Sequence, residues 1–232
     1  MKGDCKYDSY MFPSVHSALR RRFSLVVVTG SAGGIEALLR LVDGVPSGFP
    51  IPIVIAQHLQ PEYPSCLVNV LQKRTEMRVC WAEDGQRLVP ETIFVGPPGH
   101  HVLVSGRQIV VVSVRGRVRN GQPSGDLLLA SAALSFGTEA VGIVLSGSLS
   151  DGASGVQILQ SLGGVVIVQD PKSAVISGMP EAAIRTGSVD FVLPLLTVPA
   201  ALTTLVMQPG AAEFFCGSLA SRAASLHAGQ GY

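Results

Sequence analysis

Charge is scarce in this sequence. Of 232 residues only 14% are Asp, Glu, Lys or Arg, and 17 basic against 16 acidic residues leave a formal net charge of +1. No basic excess points to nucleic acid as a partner, and no acidic excess points to a solvated tail. Long apolar runs are missing too: none approaches the ~20 residues a membrane span needs, so no membrane insertion is expected. The first residues, Met-Lys-Gly-Asp-Cys-Lys-Tyr-Asp, lead into no apolar stretch. No secretory signal is read there, and a cytoplasmic location is the expectation. The four cysteines, Cys5, Cys66, Cys80 and Cys216, form neither CxxC nor a zinc spacing, and they read as reduced and structural. The five histidines make no HExxH pattern, so neither a metal nor a cofactor is called for. There is no repeat of long period.

What the chain has is apolar residues: 47% of the sequence, with a mean hydropathy of +0.41. That suffices for a large core in one domain, and the length is short for two. Residues 1–22 read as an irregular lead-in closing on Arg20-Arg21-Arg22, a cluster that is usually just solvated. Residues 23–207 read as the ordered domain. Residues 208–232, rich in Ala, Gly and Ser, read as a loose tail.

Inside the domain one theme repeats. Leu25-Val26-Val27-Val28 is a continuous apolar run of the kind that forms a strand buried on both faces. It ends in Thr29-Gly30-Ser31-Ala32-Gly33-Gly34, and a helical stripe of Ile35, Leu38, Leu39 and Val42 follows. Residues 53–56 repeat the run and end in Gln57-His58, with a helix expected over about residues 65–74. Residues 141–145 repeat it again and end in Ser146-Gly147-Ser148-Leu149-Ser150-Asp151-Gly152. A helix through Val156, Leu159 and Leu162 comes next. Residues 165–168 are a fourth run, ending in Gln169-Asp170. This alternation predicts an α/β fold: a doubly wound, mostly parallel sheet in a Rossmann-like, three-layer arrangement. From Val79 to Val114 the helical period fades and β-branched residues dominate. Two runs flanking Ser105-Gly106-Arg107-Gln108 predict a hairpin, so an antiparallel β insertion is expected over this stretch. A last helix is expected up to about Met207.

Ligands of such sheets bind beyond the carboxyl ends of the strands. Ser31, His58 and Asp151 all fall there. A serine hydroxyl needs a base within hydrogen-bond reach, and the base needs a carboxylate to hold its tautomer. The three residue types are present at one edge. Each also has a plainer use. Ser31 could cap the following helix, or its loop could hold phosphate, although GxGxxG and the Walker A ending are absent. His58 could be a buried, satisfied histidine, and Asp151 could cap the helix that begins near Gly152. What favours catalysis is the joint placement, since three plainer uses would otherwise have to coincide at one edge. His100 and His101 are further candidates for a base or a substrate contact, and Asp170 is the rival acid. Asp126 is expected to cap the helix through Leu127, Leu128 and Leu129. Arg115, Arg117 and Arg119 alternate like a solvated strand face. The chain order Ser, His, Asp differs from the Ser, acid, His order of α/β-hydrolases.

In order along the chain, these segments resemble the catalytic domain of the CheB protein-glutamate methylesterases, over about residues 24–195. The resemblance is carried by Thr29 to Gly34, by Ala56-Gln57-His58, by Ala82-Glu83-Asp84-Gly85 and by Gly96-Pro97-Pro98-Gly99-His100-His101. It continues in Pro123-Ser124-Gly125-Asp126, in Ser146 to Gly152 and in Ser177-Gly178-Met179-Pro180-Glu181-Ala182-Ala183. It implies Ser31 as nucleophile, His58 as base and Asp151 as the acid that orients it. It also implies an oxyanion and substrate loop that includes Ser148, Ala32 and Met179. The activity implied is hydrolysis of glutamyl methyl esters, with deamidation of glutamines as a second reaction. The implied partner is a methyl-accepting chemotaxis receptor or another methylated protein, with a methyltransferase or a sensor kinase as further candidates. A hydrolase with another acyl substrate and a silent partner-binding module are the alternatives.

Two departures from the family pattern stand out. Leu149 occupies a position where glycine is common, so the turn must keep φ negative there or accept strain. Gly121-Gln122 stand where an arginine is common. The family's receiver domain is also not expected in this chain, since only about 23 residues precede the first strand.

Overall fold

The computed structural model describes residues 23–60, 62, 64–113, 122–208 and 211. Residues 1–22, the three alternating arginines and nearly all of the expected tail lie outside the described residues. Nine strands and six α-helices are described. In chain order they are β1 (Leu25–Gly30), α1 (Gly34–Asp43), β2 (Ile53–Gln57), α2 (Leu67–Gln72), β3 (Arg78–Trp81), β4 (Thr92–Val95), β5 (His100–Ser105), β6 (Gln108–Ser113), α3 (Gly125–Phe136), β7 (Ala140–Val144), α4 (Ala153–Ser161), β8 (Val165–Gln169), α5 (Gly178–Arg185), β9 (Phe191–Leu193) and α6 (Val198–Met207).

Seven strands form one sheet in the order β3-β4-β2-β1-β7-β8-β9, and every pairing in it is parallel. The four continuous apolar runs are its central strands β2, β1, β7 and β8, buried along their whole length. Burial on both faces explains why they read as unbroken runs rather than alternations. Their side chains still alternate in space. Val26 and Val28 face a core shared with α1, α2 and α6, while Leu25 and Val27 face a second core under α3, α4, α5 and the hairpin. The doubly wound, three-layer expectation therefore holds.

Two expectations need correction. The stretch from Val79 to Val114 is not antiparallel throughout. Among the described residues its first part supplies β3 and β4, which extend the parallel sheet, while β5 and β6 pair antiparallel as a separate two-stranded sheet, with one isolated antiparallel bridge from Arg87 to Gln108. Those outer strands have four residues each, too few to display a period. The helical stripe after Ser31 is also rotated. Ala37, Leu38, Leu41 and Val42 are buried in α1, whereas Ile35 is exposed. Helix α2 is shorter than the expected span.

The hairpin lies along α3. The Ser131 hydroxyl accepts the Val104 amide at 3.0 Å, and the Ser135 hydroxyl donates to the Val104 carbonyl at 3.1 Å. At the other end, α3 begins hard against β1. A Cβ on Gly125 would sit 2.1 Å from Thr29 Oγ1 and 2.7 Å from Thr29 Cβ. The Thr29 Cβ is fixed by the strand backbone, so the clash has no flexible side chain to absorb it. Gly125→Ala is therefore expected to destabilise the fold by about 1–3 kcal/mol, read from the urea unfolding midpoint.

Candidate active site

Strands β2, β1 and β7 lie side by side, with Gly30 opposite Gln57 and Thr29 opposite Val144. Helix α1 leaves β1 toward one face of the sheet, and α4 leaves β7 toward the other. Their connections diverge there and leave a crevice at the strand ends. Ser31, His58 and the loop carrying Asp151 border it.

Ser31 is held by its backbone. Its amide donates to the Ser146 carbonyl at 2.9 Å, and its carbonyl accepts from Gln57 Nε2 at 2.8 Å and from the Gly34 amide at 2.8 Å. The hydroxyl makes no hydrogen bond among the described residues. It does not cap α1, whose N-cap is Gly33, in a left-handed conformation (φ 76°) that suits glycine. The helix-cap use of this serine is thereby removed.

Asp151 is buried, 1% exposed, and both carboxylate oxygens are engaged. Oδ2 lies 2.7 Å from His58 Nε2 and accepts the Gly125 amide at 2.6 Å. Oδ1 accepts the Ser124 hydroxyl at 3.0 Å and the Asp126 amide at 3.0 Å. Asp151 thus sits at the N-terminus of α3, where unpaired amides and the helix dipole favour an anion. Burial alone would raise its pKa. The His58 bond, the Gly125 and Asp126 amides and the His58 charge override that, and the net shift is downward. The expected capping roles are crossed. Asp151 does not cap the helix that follows it, where Gly152 is the N-cap without a side-chain bond. Asp126 does not cap its own helix, whose N-cap is Ser124. Instead Asp126 accepts the Gly155 amide of α4 at 2.8 Å. Burial raises the Asp126 pKa against that bond, and the charge on Asp151 adds to the rise.

His58 is fixed by its backbone amide, which donates to Gly30 at 3.0 Å, and by its Nε2 bond to Asp151. Its side chain is 17% exposed. Nδ1 has no hydrogen-bond partner among the described residues, so it is the nitrogen available to take a proton. The link from Ser31 Oγ to Nδ1 is not made in this arrangement. Catalytic hydrogen bonds are often open before substrate binds.

The loop after β7 lies directly beside the serine, since a Cβ on Gly147 would come within 2.9 Å of Ser31 Cβ. Ser148 is exposed, and neither its amide nor that of exposed Ala32 has a partner among the described residues. These two amides are free donors on either side of Ser31. Met179 is fully buried. Its amide donates to the Gly147 carbonyl at 2.8 Å, and a Cβ on Gly147 would meet its Sδ at 2.0 Å. It packs beneath the loop at Gly147. Leu149 takes φ 63°, so of the two options open to this turn the strained one is realised, and its side chain is 74% exposed.

Other candidates fall elsewhere. Asp170 caps the 3-10 turn Pro171–Ser173 through the Lys172 amide at 2.9 Å. His100 bonds the Pro98 carbonyl at 2.8 Å. His101 is buried, and its Nδ1 accepts the Ser124 amide at 3.0 Å. Two glutamines not picked out as site residues also matter. Gln57 ties the Ser31 loop to β2. Gln169 accepts the Ser146 amide at 2.9 Å and donates to the Ser173 carbonyl at 2.9 Å. Both end buried central strands, where a polar residue must find partners. That position was the available signal.

The CheB methylesterase family model matches residues 26–202. This chain belongs to that family. Protein-glutamate methylesterase FrzG of Myxococcus xanthus is 36% identical over 180 residues, covering 78% of this chain and 54% of FrzG. The chain thus spans about half the length of that relative. A putative protein-glutamate methylesterase/protein-glutamine glutaminase of Leptospira interrogans is 34% identical over 173 residues, covering 75% of this chain and 90% of the relative. The solved CheB methylesterase catalytic domain of Thermotoga maritima superposes with a TM-score of 0.74 at 30% identity, over 79% of this chain and 99% of that one. Among the described residues no helix is long and apolar enough to cross a membrane.

Two outcomes are expected. Leu149→Gly relieves the left-handed strain at the cost of chain entropy, for a net stabilisation of about 0.5–1 kcal/mol, measured by chemical denaturation. For Asp151 the folded pKa lies below the unfolded value of about 3.9. Its stabilisation is complete above that value and is lost as pH falls through the folded pKa. The stability gap between the wild type and Asp151→Asn is therefore expected to narrow as pH drops below about 4, seen in parallel melts across an acid series.

Proposed function

We propose that this chain is a serine hydrolase that cleaves glutamyl methyl esters on a protein, with Ser31, His58 and Asp151 as its triad. One observation carries the reading: the buried Asp151 carboxylate, held by α3, binds Nε2 of His58 and leaves Nδ1 free at the crevice that Ser31 borders. The substrate class follows from the family, whose relatives bear the names protein-glutamate methylesterase and protein-glutamine glutaminase.

In the first half-reaction Ser31 Oγ attacks the ester carbonyl carbon while His58 Nδ1 takes the hydroxyl proton. The tetrahedral oxyanion is met by the free amides of Ala32 and Ser148, with the N-terminus of α1 behind them. Collapse breaks the bond to the methoxy oxygen, and His58 returns the proton to it, releasing methanol. In the second half water attacks the acyl-serine ester, gives its proton to His58, and frees the glutamate carboxyl and Ser31. Asp151 stays ionised throughout and stabilises the imidazolium. A glutamine side chain enters the same sequence with ammonia as leaving group. The partner this substrate implies is a methyl-accepting chemotaxis receptor.

Ser31→Ala is expected to retain the fold and lower methanol release from a peptide bearing a glutamate γ-methyl ester by at least about a thousandfold. Labelling by a fluorophosphonate probe should vanish with it. Undiminished turnover would overturn the assignment of Ser31. Labelling at Ser31 without methanol release would leave a hydrolase of another acyl substrate.

A further inference from the structure

His101 bonds the backbone of Ser124 rather than the triad acid itself, and touches neither Ser31 nor His58 by hydrogen bond. Its surroundings are specific nonetheless. It is 1% exposed, on the first strand of the hairpin, and its Nδ1 accepts the Ser124 amide at 3.0 Å. Ser124 is the N-cap of α3, and its hydroxyl donates to Asp151 Oδ1. The next two amides, of Gly125 and Asp126, complete the cradle of the same carboxylate.

A ring nitrogen that accepts an N–H must itself be unprotonated, so this contact demands the neutral Nε2–H tautomer of His101. The hairpin grips α3 at two further points, where Ser131 and Ser135 bond the Val104 backbone. The three contacts span α3 from its cap to its last turn. They fix the helix along its axis, and the helix start fixes Asp151.

We propose that His101 is a positioning residue for the proposed triad: by accepting the Ser124 amide it sets the cap of α3, and through it the orientation of Asp151 toward His58. The hairpin then has a task beyond covering the sheet, since it delivers this histidine. The inference rests on the triad reading above.

Two variants separate the contact from simple packing. Asn offers a carbonyl oxygen near the place of Nδ1, whereas Phe keeps a ring and removes the acceptor. For folded protein, matched by circular dichroism, His101→Phe is expected to lower kcat roughly 10- to 100-fold, as for lost outer partners of catalytic groups. KM for the glutamate γ-methyl ester peptide stays within about twofold, because no substrate contact is lost. His101→Asn should recover most of the kcat. A kcat for His101→Phe within about twofold of the wild type, or equal losses in both variants, would overturn the proposal.

Should His101→Phe not fold, the unaltered protein still decides. Nitrogen-15 spectra of its imidazoles should show one histidine that keeps Nδ1 unprotonated and Nε2 protonated from pH 6 to 8, assigned by its absence in His101→Asn. Nδ1–H or a charged ring at that position sinks the idea. Wild-type protein that releases no methanol would instead defeat the triad reading, and the nitrogen spectra would still test the His101 to Ser124 contact by itself.

Discussion

The carboxylate of Asp151 is taken out of water completely, and such a group is costly unless its lone pairs are filled. Here the start of α3 fills them, with the Ser124 hydroxyl and two successive amides, and His58 adds the last bond. Much of the site's arrangement depends on this one anion. It satisfies helix amides that would otherwise be buried without partners. It binds the loop after β7 to a helix that packs on β1. It leaves His58 with a single free nitrogen. The His58 bond, the two helix amides and the His58 charge together outweigh desolvation, which is why burial fails to raise this pKa.

In the proposed triad the imidazole works in the reverse sense to the familiar serine-protease arrangement. There the carboxylate holds Nδ1 and the base is Nε2. In this chain Asp151 holds Nε2. The reason is positional. His58 leaves the end of β2, one strand beyond β1, while Asp151 comes from the far side of β1 after β7. The ring tip, Nε2, reaches the acid, and Nδ1, nearer its own backbone, is the nitrogen that the proposed reaction assigns to the serine. The proposed chemistry is unaffected by the reversal, because only the opposition of the two nitrogens matters to it.

The sequence was most legible where the sheet is most buried. The runs at residues 25–28, 53–56, 141–145 and 165–168 become the four central strands, because burial on both faces demands unbroken apolar residues. The edges were not legible. Strand β9 has three residues and β3 and β4 have four, so tertiary pairing rather than local pattern makes them strands. At the site, the order and strand-end placement of Ser31, His58 and Asp151 could be read, since a strand end fixes a residue's edge. Which helix each aspartate serves could not. Asp126 and Asp151 each precede or open a helix, and local capping rules assign each to its own. The close approach of α3 to α4 lets them exchange. His101 was visible only as one of two adjacent loop histidines, and only the folded hairpin distinguishes the buried one.

That exchange of aspartates has a kinetic side. Each helix start relies on an acid supplied from the other's surroundings: Asp126 in α3 serves Gly155, and Asp151 just ahead of α4 serves Gly125 and Asp126. Fraying of one helix withdraws an acceptor from the other, so opening at the two ends is coupled. Their amides would exchange with solvent through a shared fluctuation. A site on two separately capped helices would breathe in two parts. Here Asp151, which holds the imidazole, is tied to the start of α3 and sits just ahead of α4, so the site's order is coupled to that of both helix starts.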